Sequence, residues 1–391
     1  MRIDRNTVVL TAELYELACR AEAGTQLIAQ TVRGGEHLTL LGHRIDDDPS
    51  SDEVAILLGP AGLDLSAGHV CGLVPGHSGE PTTIDAVRVV GDSWRLLLVE
   101  TNATVPSIFD RQIRAFGSAG QHLLAHLRVG VVGAGGTGSA VCEQLIRLGV
   151  GEITVIDDDV INDDGSNVTR VWGSTMADIG MPKVSIVERT AEQIGFGTRI
   201  NPIKGTVNDE ATAQELRHCD VVFGCTDDNR GRMTLSRIAT WYLIPVIDMG
   251  VKLSSSEGVL TNIDGRVTII DHATGCLQCR GRIDAQVLQA EVLQPLEREA
   301  RVAESYAVGL GERDPAVVAY TTSIAATAVA EFLARTFGLD TDRPSTELLV
   351  RFHQRSIGRS TRPAKPGHWC VDTANVGAGD TEPFLGTMWT S

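Results

Sequence analysis

The sequence predicts an α/β protein built on a doubly wound, mostly parallel sheet and preceded by a smaller α+β domain. Three observations carry this. From Leu127 onward, apolar strand-like runs alternate with amphipathic helical ones. The first of those strands leads straight into a glycine-rich turn. The first hundred residues show no such alternation and mix short strand-like runs with turn-rich stretches.

Taken in chain order, residues 54–58 and 94–99 read as strands in the amino-terminal part, and residues 46–52 and 75–83 as turns. Strands follow at 128–132, 152–156, 199–204, 221–224 and 245–248, with helices at 139–148, 182–192, 209–217 and 230–241. Antiparallel strands are expected near 259–263 and 266–270, then a charged helix over 285–304. Residues 317–337 are rich in Ala and Thr and interrupted by polar residues, which predicts a buried helix and not a membrane span. Residues 348–352 read as a short strand ahead of a Gly/Pro-rich tail. The expected division is an amino-terminal domain over 1–105, a doubly wound domain over 106–340, and a carboxy-terminal strand and tail over 341–391.

Bulk properties narrow the function. Of 391 residues, 42% are hydrophobic and 21% charged, the balance of a globular chain with substantial cores. No apolar run reaches the ~20 residues that span a bilayer, and the first ten residues carry charges where a secretion signal would be apolar. Cytoplasmic residence is the expectation, without membrane attachment. A net charge of -16 argues against nonspecific nucleic-acid binding, which needs an excess of Lys and Arg. Eight cysteines are too few for a disulfide framework, and Cys276 and Cys279 form their one close pair.

Residues 128–138 read RVGVVGAGGTG, a strand followed by a GxGxxG turn at Gly133, Gly135 and Gly138 with Gly136 as an extra glycine. Such a turn lets backbone N–H groups at a helix amino terminus approach phosphates. Asp157 and Asp159 end the next strand, where ribose hydroxyls are held in this fold. The turn by itself specifies a nucleotide and leaves NAD and ATP open. Ser166, Asn167, Arg170, Lys183 and the run GCTDDNRGR at 224–232 favour ATP. A triphosphate needs several cations and polar donors, and magnesium needs a carboxylate at the sheet's mouth.

The ordered set GAGGTG, IDDDV, SNVTR, MPKV and GCTDDN resembles the ThiF/MoeB/HesA family of ubiquitin-activating-type adenylyltransferases, over roughly residues 108–339. The resemblance implies a Rossmann-like fold of ThiF/MoeB type. It also implies that Gly136 approaches the phosphates, Asp157 holds the ribose, Asn167 and Arg170 contact the triphosphate, and Lys183 neutralises phosphate charge. Asp227 matches the magnesium-positioning carboxylate, and Asp228 stands where the family usually has Asn beside the adenosine. Residues 109–121, FDRQIRAFGSAGQ, resemble the family's opening helix, whose arginine, here Arg111, reaches the partner subunit's phosphates in a homodimer. The alternative is a surface arginine. The reaction implied is adenylation of a carboxylate on a ubiquitin-like protein, a peptide or a small acid, with release of pyrophosphate. An NAD-dependent oxidoreductase and a noncatalytic scaffold are the competing readings. Many relatives carry an acyl-accepting cysteine that this chain lacks between Arg280 and Pro315. Cys276 and Cys279 resemble the first half of the family's zinc site. The second CxxC is missing, and Cys370 with His368 would complete a Cys3His set. A reduced, metal-free pair is the other reading.

Overall fold

The computed structural model of the chain describes residues 105–256, 259–291, 315–339, 345–379 and 381–389, and within the first hundred residues 7–13, 15–16, 26–30, 37–40, 43–44, 53–58, 72–75, 81–83, 86–91 and 94–98. The amino-terminal strands are β1 (Thr7–Thr11), β2 (Gln26–Gln30), β3 (His37–Leu40), β4 (His43–Arg44), β5 (Glu53–Leu58), β6 (Gly72–Pro75), β7 (Pro81–Thr83), β8 (Ala86–Val90) and β9 (Arg95–Leu98). They form two sheets, ordered β3-β1-β8-β9 and β4-β2-β5-β6-β7. The strands expected at 54–58 and 94–99 are β5 and β9. The stretch at 75–83, read as turns, begins and ends in the antiparallel β6–β7 pair. The turn at 46–52 lies outside the described residues.

Helix α1 (Asp110–His126), kinked at Gly117, leads into the main sheet. There β10 (Arg128–Val132), β11 (Glu152–Ile156), β12 (Arg199–Ile203), β13 (Val221–Gly224) and β14 (Val246–Ser256) alternate with α2 (Gly138–Leu148), α3 (Lys183–Ile194), α4 (Glu210–Gln214) and α5 (Asn229–Trp241). The spatial order is β12-β11-β10-β13-β14, parallel throughout. Chain direction across the sheet therefore reverses between β10 and β13, and such a switch opens a crevice at the carboxyl ends of the strands. This is the doubly wound arrangement that the alternation predicts. Antiparallel β15 (Val259–Ile270), β16 (Glu347–Arg351) and β17 (Ser356–Ser360) extend the sheet to eight strands. Helices α6 (Ala285–Glu291) and α7 (Val318–Phe337) lie between β15 and β16 in the chain. No helix among the described residues is long and apolar enough to cross a membrane.

Three expectations need correction. The strand read as ending at 248 runs on to Ser256, and the two strands read at 259–263 and 266–270 are one, β15. The polar Asn262, Asp264 and Gly265 mimic a turn, but β14 and β16 pair with this stretch on both sides and hold it extended. The helix read over 209–217 is shorter and closes in a 3-10 turn at Glu215–His218. Only 285–291 of the helix expected to reach 304 falls within the described residues. The tail is folded: β17 pairs with β16, and Phe384 and Leu385 are buried beside Ile238 and Trp241 of α5.

The apolar faces explain how these layers hold. Met249, Val267, Ile269 and Leu348 share a core with Ile324, Ala325, Ala328 and Phe332 of α7. Alanines let this helix ride close to the sheet, so close that a Cβ on Gly265 would lie 2.3 Å from Ile324 Cδ1. Val9, Val90, Trp94 and Leu96 join the same core from the amino-terminal part. Arg88, 3% exposed, secures that junction. Its Nη1 donates to the Cys219 carbonyl at 2.7 Å and lies 3.7 Å from Asp220 Oδ1. Burial draws the Arg88 pKa down while Asp220 opposes the shift. Removing a buried cation strands its carboxylate, so Arg88→Met is expected to lower stability by about 3 kcal/mol in urea unfolding. A loss under about 1 kcal/mol would show that the junction does not depend on this pair.

Candidate functional site

The crevice at the switch point is the opening of a large cleft of about 1040 Å³. That is the upper end of the roughly 300–1,000 Å³ usual for a single ligand site. One part is built on the glycine turn. Gly133 has φ +94°, a conformation that disfavours side chains, and a Cβ there would also meet the Cys225 carbonyl oxygen at 2.7 Å. At Gly138 a Cβ would sit 1.7 Å from the Gly133 carbonyl oxygen. These two close the turn. Gly135 has nothing within 4 Å of a built Cβ, so its backbone borders open space, and Gly136 lies against Thr321 and Arg170. Gly133, Gly135 and Gly136 line the cleft; Gly138 begins α2, whose amino terminus points N–H groups toward it.

Asp157, buried at the end of β11, accepts the Ala134 N–H at 2.6 Å and the Asp159 N–H at 2.9 Å. Burial pushes its pKa up, and the neighbouring Lys183 ammonium opposes that shift. Lys183 Nζ lies 2.5 Å from Asp159 Oδ2 and 3.5 Å from Asp157 Oδ1. It is 5% exposed and opens α3, where a cation faces the positive end of the helix dipole. The two carboxylates offset that placement. Asp159, expected at the ribose, is thus paired with Lys183 in the isolated chain.

The loop from β11 to α3 carries Asn167 and Arg170 into the cleft. Asn167 Oδ1 accepts the Asn162 N–H at 2.8 Å, closing the turn, while the Arg170 stem lies over Gly136. The loop is clamped to α3 by Arg189, whose Nη1 and Nη2 donate to Asp178 at 2.5 and 2.9 Å. On the opposite rim stand Asp227, exposed, and Asp228. Asp228 is the amino-terminal cap of α5, accepting from the Gly231 N–H and, at 2.8 Å, from the Thr226 hydroxyl. Its carboxylate serves the helix, a role the sequence reading did not assign. Arg111 is exposed on α1 and does not line the cleft of its own chain.

A second part of the cleft escaped the sequence reading. Beyond Asp248, β14 has no parallel neighbour, and with β15 and β16 it forms a wall above the crevice. Cross-strand register puts Gly250, Arg266 and Leu349 in one row and Lys252, Asp264 and Arg351 in the next. All six line the cleft. Asp248, fully buried, pairs with Arg266 and lies 3.8 Å from Arg232 Nε. Glu347 binds Arg282 through two contacts at 2.7 and 2.9 Å. The signal was present: Asp248, Gly250 and Lys252, and likewise Asp264, Arg266 and Thr268, put charged, small or polar residues at every second position, the period of a strand with one wet face. The apparent turn at 262–265 concealed it.

The predicted metal ligands converge on the far side of α5. Cys276, Cys279, His368 and Cys370 place their ligand atoms within 4.8 Å of one another. Cys279 and Cys370 sulfurs are 3.8 Å apart, and His368 Nδ1 is 3.1 Å from Cys370 Sγ. Thiolates bound to one zinc at about 2.3 Å in a tetrahedron stand about that far apart. Gln278 Oε1 holds the other ring nitrogen of His368 at 3.0 Å. The hydrogen bond from Cys276, ahead of the opposing burial, draws Cys370 down to about 5. Elsewhere, burial pushes Cys142 up to about 12 and raises Cys219 and Cys225, so these thiols resist forming thiolates.

A profile described as the ThiF family matches residues 109–368. The chain is 28% identical over 196 residues to the molybdopterin-synthase adenylyltransferase of Escherichia coli K12, covering 48% of this chain and 74% of that one. It is also 28% identical over 163 residues to the SAMP-activating enzyme E1 of Haloferax volcanii, covering 42% and 56%. Among solved structures, E. coli MccB with ATP aligns at a TM-score of 0.52 and 17% identity, over 68% of this chain and 74% of that one. The microcin C7 biosynthetic enzyme MccB with N-formylated MccA aligns at 0.54 and 17%, over the same shares. At these identities the structures speak to the fold alone.

The Asp178 clamp yields a pH prediction. Hydrogen bonds from Arg189 hold the Asp178 carboxyl well below the usual carboxylate range. A depressed pKa contributes stability that is fully present above the unfolded value of about 3.9 and is lost as pH falls through the folded value. Asp178→Asn is therefore expected to cost about 1.5–3 kcal/mol, constant from pH 8 to about 5 and shrinking below about 4. Unfolding curves whose difference stayed constant down to pH 2 would contradict this.

Proposed function

Because the chain belongs to the ThiF family, we propose that it is an ATP-dependent adenylyltransferase that activates a carboxylate on a ubiquitin-like protein, a peptide or a small acid. One observation carries this reading: the glycine turn and a wall bearing Lys252, Arg266 and Arg351 line one cleft. A nucleotide and an acceptor can meet there.

In the proposed step, an acceptor carboxylate oxygen attacks the α-phosphorus of ATP. A new P–O bond forms, the bond to the β-phosphate bridging oxygen breaks, and its electron pair leaves with pyrophosphate. No enzyme nucleophile is needed. The chain contributes position and charge: backbone N–H groups at the start of α2 hold the phosphates, Asp157 orients the ribose, and Asn167 and Arg170 donate to phosphate oxygens. Lys183 moves its charge from Asp159 toward the phosphates when ATP enters. Asp227 and its exposed carboxylate, with no ion-pair partner among the described residues, would hold magnesium. Held there, magnesium would offset the negative charge of the phosphates. The buried thiols support passage of the adenylate to an external nucleophile instead of an enzyme cysteine. Work in the cytoplasm fits thiols kept reduced.

Charge supports a homodimer with Arg111 acting in trans. On the nucleotide side, and among the described residues, Asp157, Asp158, Asp159, Asp227 and Asp228 are accompanied by Arg170 and Lys183, while Arg232 is engaged by Asp248. A triphosphate there requires further cations. Arg111 on its exposed helix is available to a second subunit. The Cys3His cluster supports a structural zinc ion that ties residues 276–279 to the tail, and Gln278 fixes the His368 tautomer.

Pyrophosphate exchange across a panel of carboxylate acceptors tests the activity, and two inactive variants test the dimer. Arg111→Ala and Asp227→Ala are each expected to lose exchange by more than about a hundredfold. After subunit exchange, mixed dimers hold one intact site, so activity should return to about a quarter of wild type at random mixing. Differentially tagged mixed dimers that stay inactive would refute the trans assignment. For the metal, protein prepared without chelator should contain about one zinc per chain, and Cys279→Ser should abolish it. Zinc-free protein of unchanged thermal stability would favour the metal-free pair.

A further inference from the structure

The strands β14, β15 and β16 hold three cations and three carboxylates, but Arg232 and Arg282 reach two of those carboxylates from outside, so five cations meet three carboxylates at the wall. Asp248 is shared by Arg266 and Arg232, and Glu347 serves Arg282. In the outer row, a single carboxylate, Asp264, stands between Lys252 and Arg351. These surpluses line a cleft in a chain whose net charge is -16, so they are not the general character of its surface. Asp264 has a further property. Its Oδ2 accepts from Asn262 Nδ2 at 2.5 Å, while Oδ1 is shielded from solvent and has no hydrogen-bond partner. A buried acceptor without a donor is costly, and a ligand N–H would satisfy it.

Spacing limits what that ligand is. Successive rows on one face of a sheet lie about 6.8 Å apart, two residues of extended chain. A peptide laid along the wall with its terminal residue at the row of Arg266, nearest the crevice, places its third residue from the end at the row of Lys252, Asp264 and Arg351. A side chain at that level meets two cations, and a turn of the Asp264 carboxylate would present Oδ1 to an amide N–H there. We infer that Lys252, Asp264 and Arg351 form a specificity subsite selecting peptide acceptors with an acidic residue third from the carboxyl terminus. This rests on the adenylation reading for why a carboxylate end points into the crevice. A small acid spans only one row and leaves Asp264 unsatisfied.

The test uses three hexapeptides, Ala-Ala-Ser-Xaa-Gly-Gly with Xaa as Asp, Asn or Lys, each with a free carboxyl terminus. Hydroxylamine added with ATP and magnesium traps an acyl-adenylate as the hydroxamate, releasing AMP, and mass spectrometry counts it. Anisotropy of the same peptides with an amino-terminal fluorophore gives Kd without turnover. Each solvent-accessible ion pair is worth up to about fivefold, so with two cations Asp is expected to exceed Asn by about fivefold in kcat/KM and in 1/Kd, and Lys by more. Lys252→Glu with Arg351→Glu should reverse the order, favouring Lys. The exposed Lys252→Glu alone should flatten it without risk to folding. Equal binding of the three peptides, or an order unchanged in the variants, overturns the subsite even if all three are adenylated. Hydroxamate from small dicarboxylic acids but from no peptide overturns the peptide class. The Asp preference in Kd with no hydroxamate from any acceptor supports the subsite and overturns the adenylation reading.

Discussion

The carboxylate of Asp157 is the constraint on which the site depends. It receives the N–H of Ala134 from the glycine turn and that of Asp159 from its own strand end, and it faces the ammonium of Lys183 from the start of α3. Three segments that meet only at the sheet's switch point are thereby fixed to one buried group. Lys183 sits against the helix dipole, a placement that propensity would not select and that the carboxylates offset. The local preferences are overruled where the phosphates would lie, as expected at a site that must receive charge.

Around that node the fold divides labour between two faces of one sheet. The parallel strands supply the crevice, and the antiparallel extension supplies the wall beside it. One face of β14, β15 and β16 is apolar and carries α7; the other is polar and lines the cleft. The helix that buries the first face thus fixes the rigidity of the second. The carboxy-terminal segment closes the arrangement from behind, returning His368 and Cys370 to the thiols after β15 and covering α5 with Phe384 and Leu385.

Much of this was legible in the sequence, for physical reasons. The glycine turn is legible because no other residue fits Gly133 and Gly138, so spacing alone reports geometry. The strand–helix alternation is legible because each element buries one face at its own period. The spacing of Cys276 and Cys279 suggests a ligand pair, and the resemblance to the family's zinc site pointed to His368 and Cys370, which the structure places beside them. What could not be read is pairing. Asn262, Asp264 and Gly265 resemble a turn until β14 and β16 are known to flank them, so the polar wall stayed hidden. Asp228 resembles a ligand-binding carboxylate until the Gly231 N–H is seen beneath it. The burial of Arg88 against Asp220 joins residues 132 positions apart, beyond any local signal.

The continuity of β15 limits how this protein can change. Side chains alternate across the sheet with a period of two, so adding or deleting one residue within 259–270 would exchange every inward and outward position beyond it. The residues that seat α7 would face the cleft, and those that line the cleft would face the core. Drift by insertion is closed to this strand, while drift by substitution is open at the alternate positions that line the cleft. A lineage could therefore acquire new acceptors by exchanging residues at 250, 252, 264, 349 and 351, leaving the nucleotide chemistry intact.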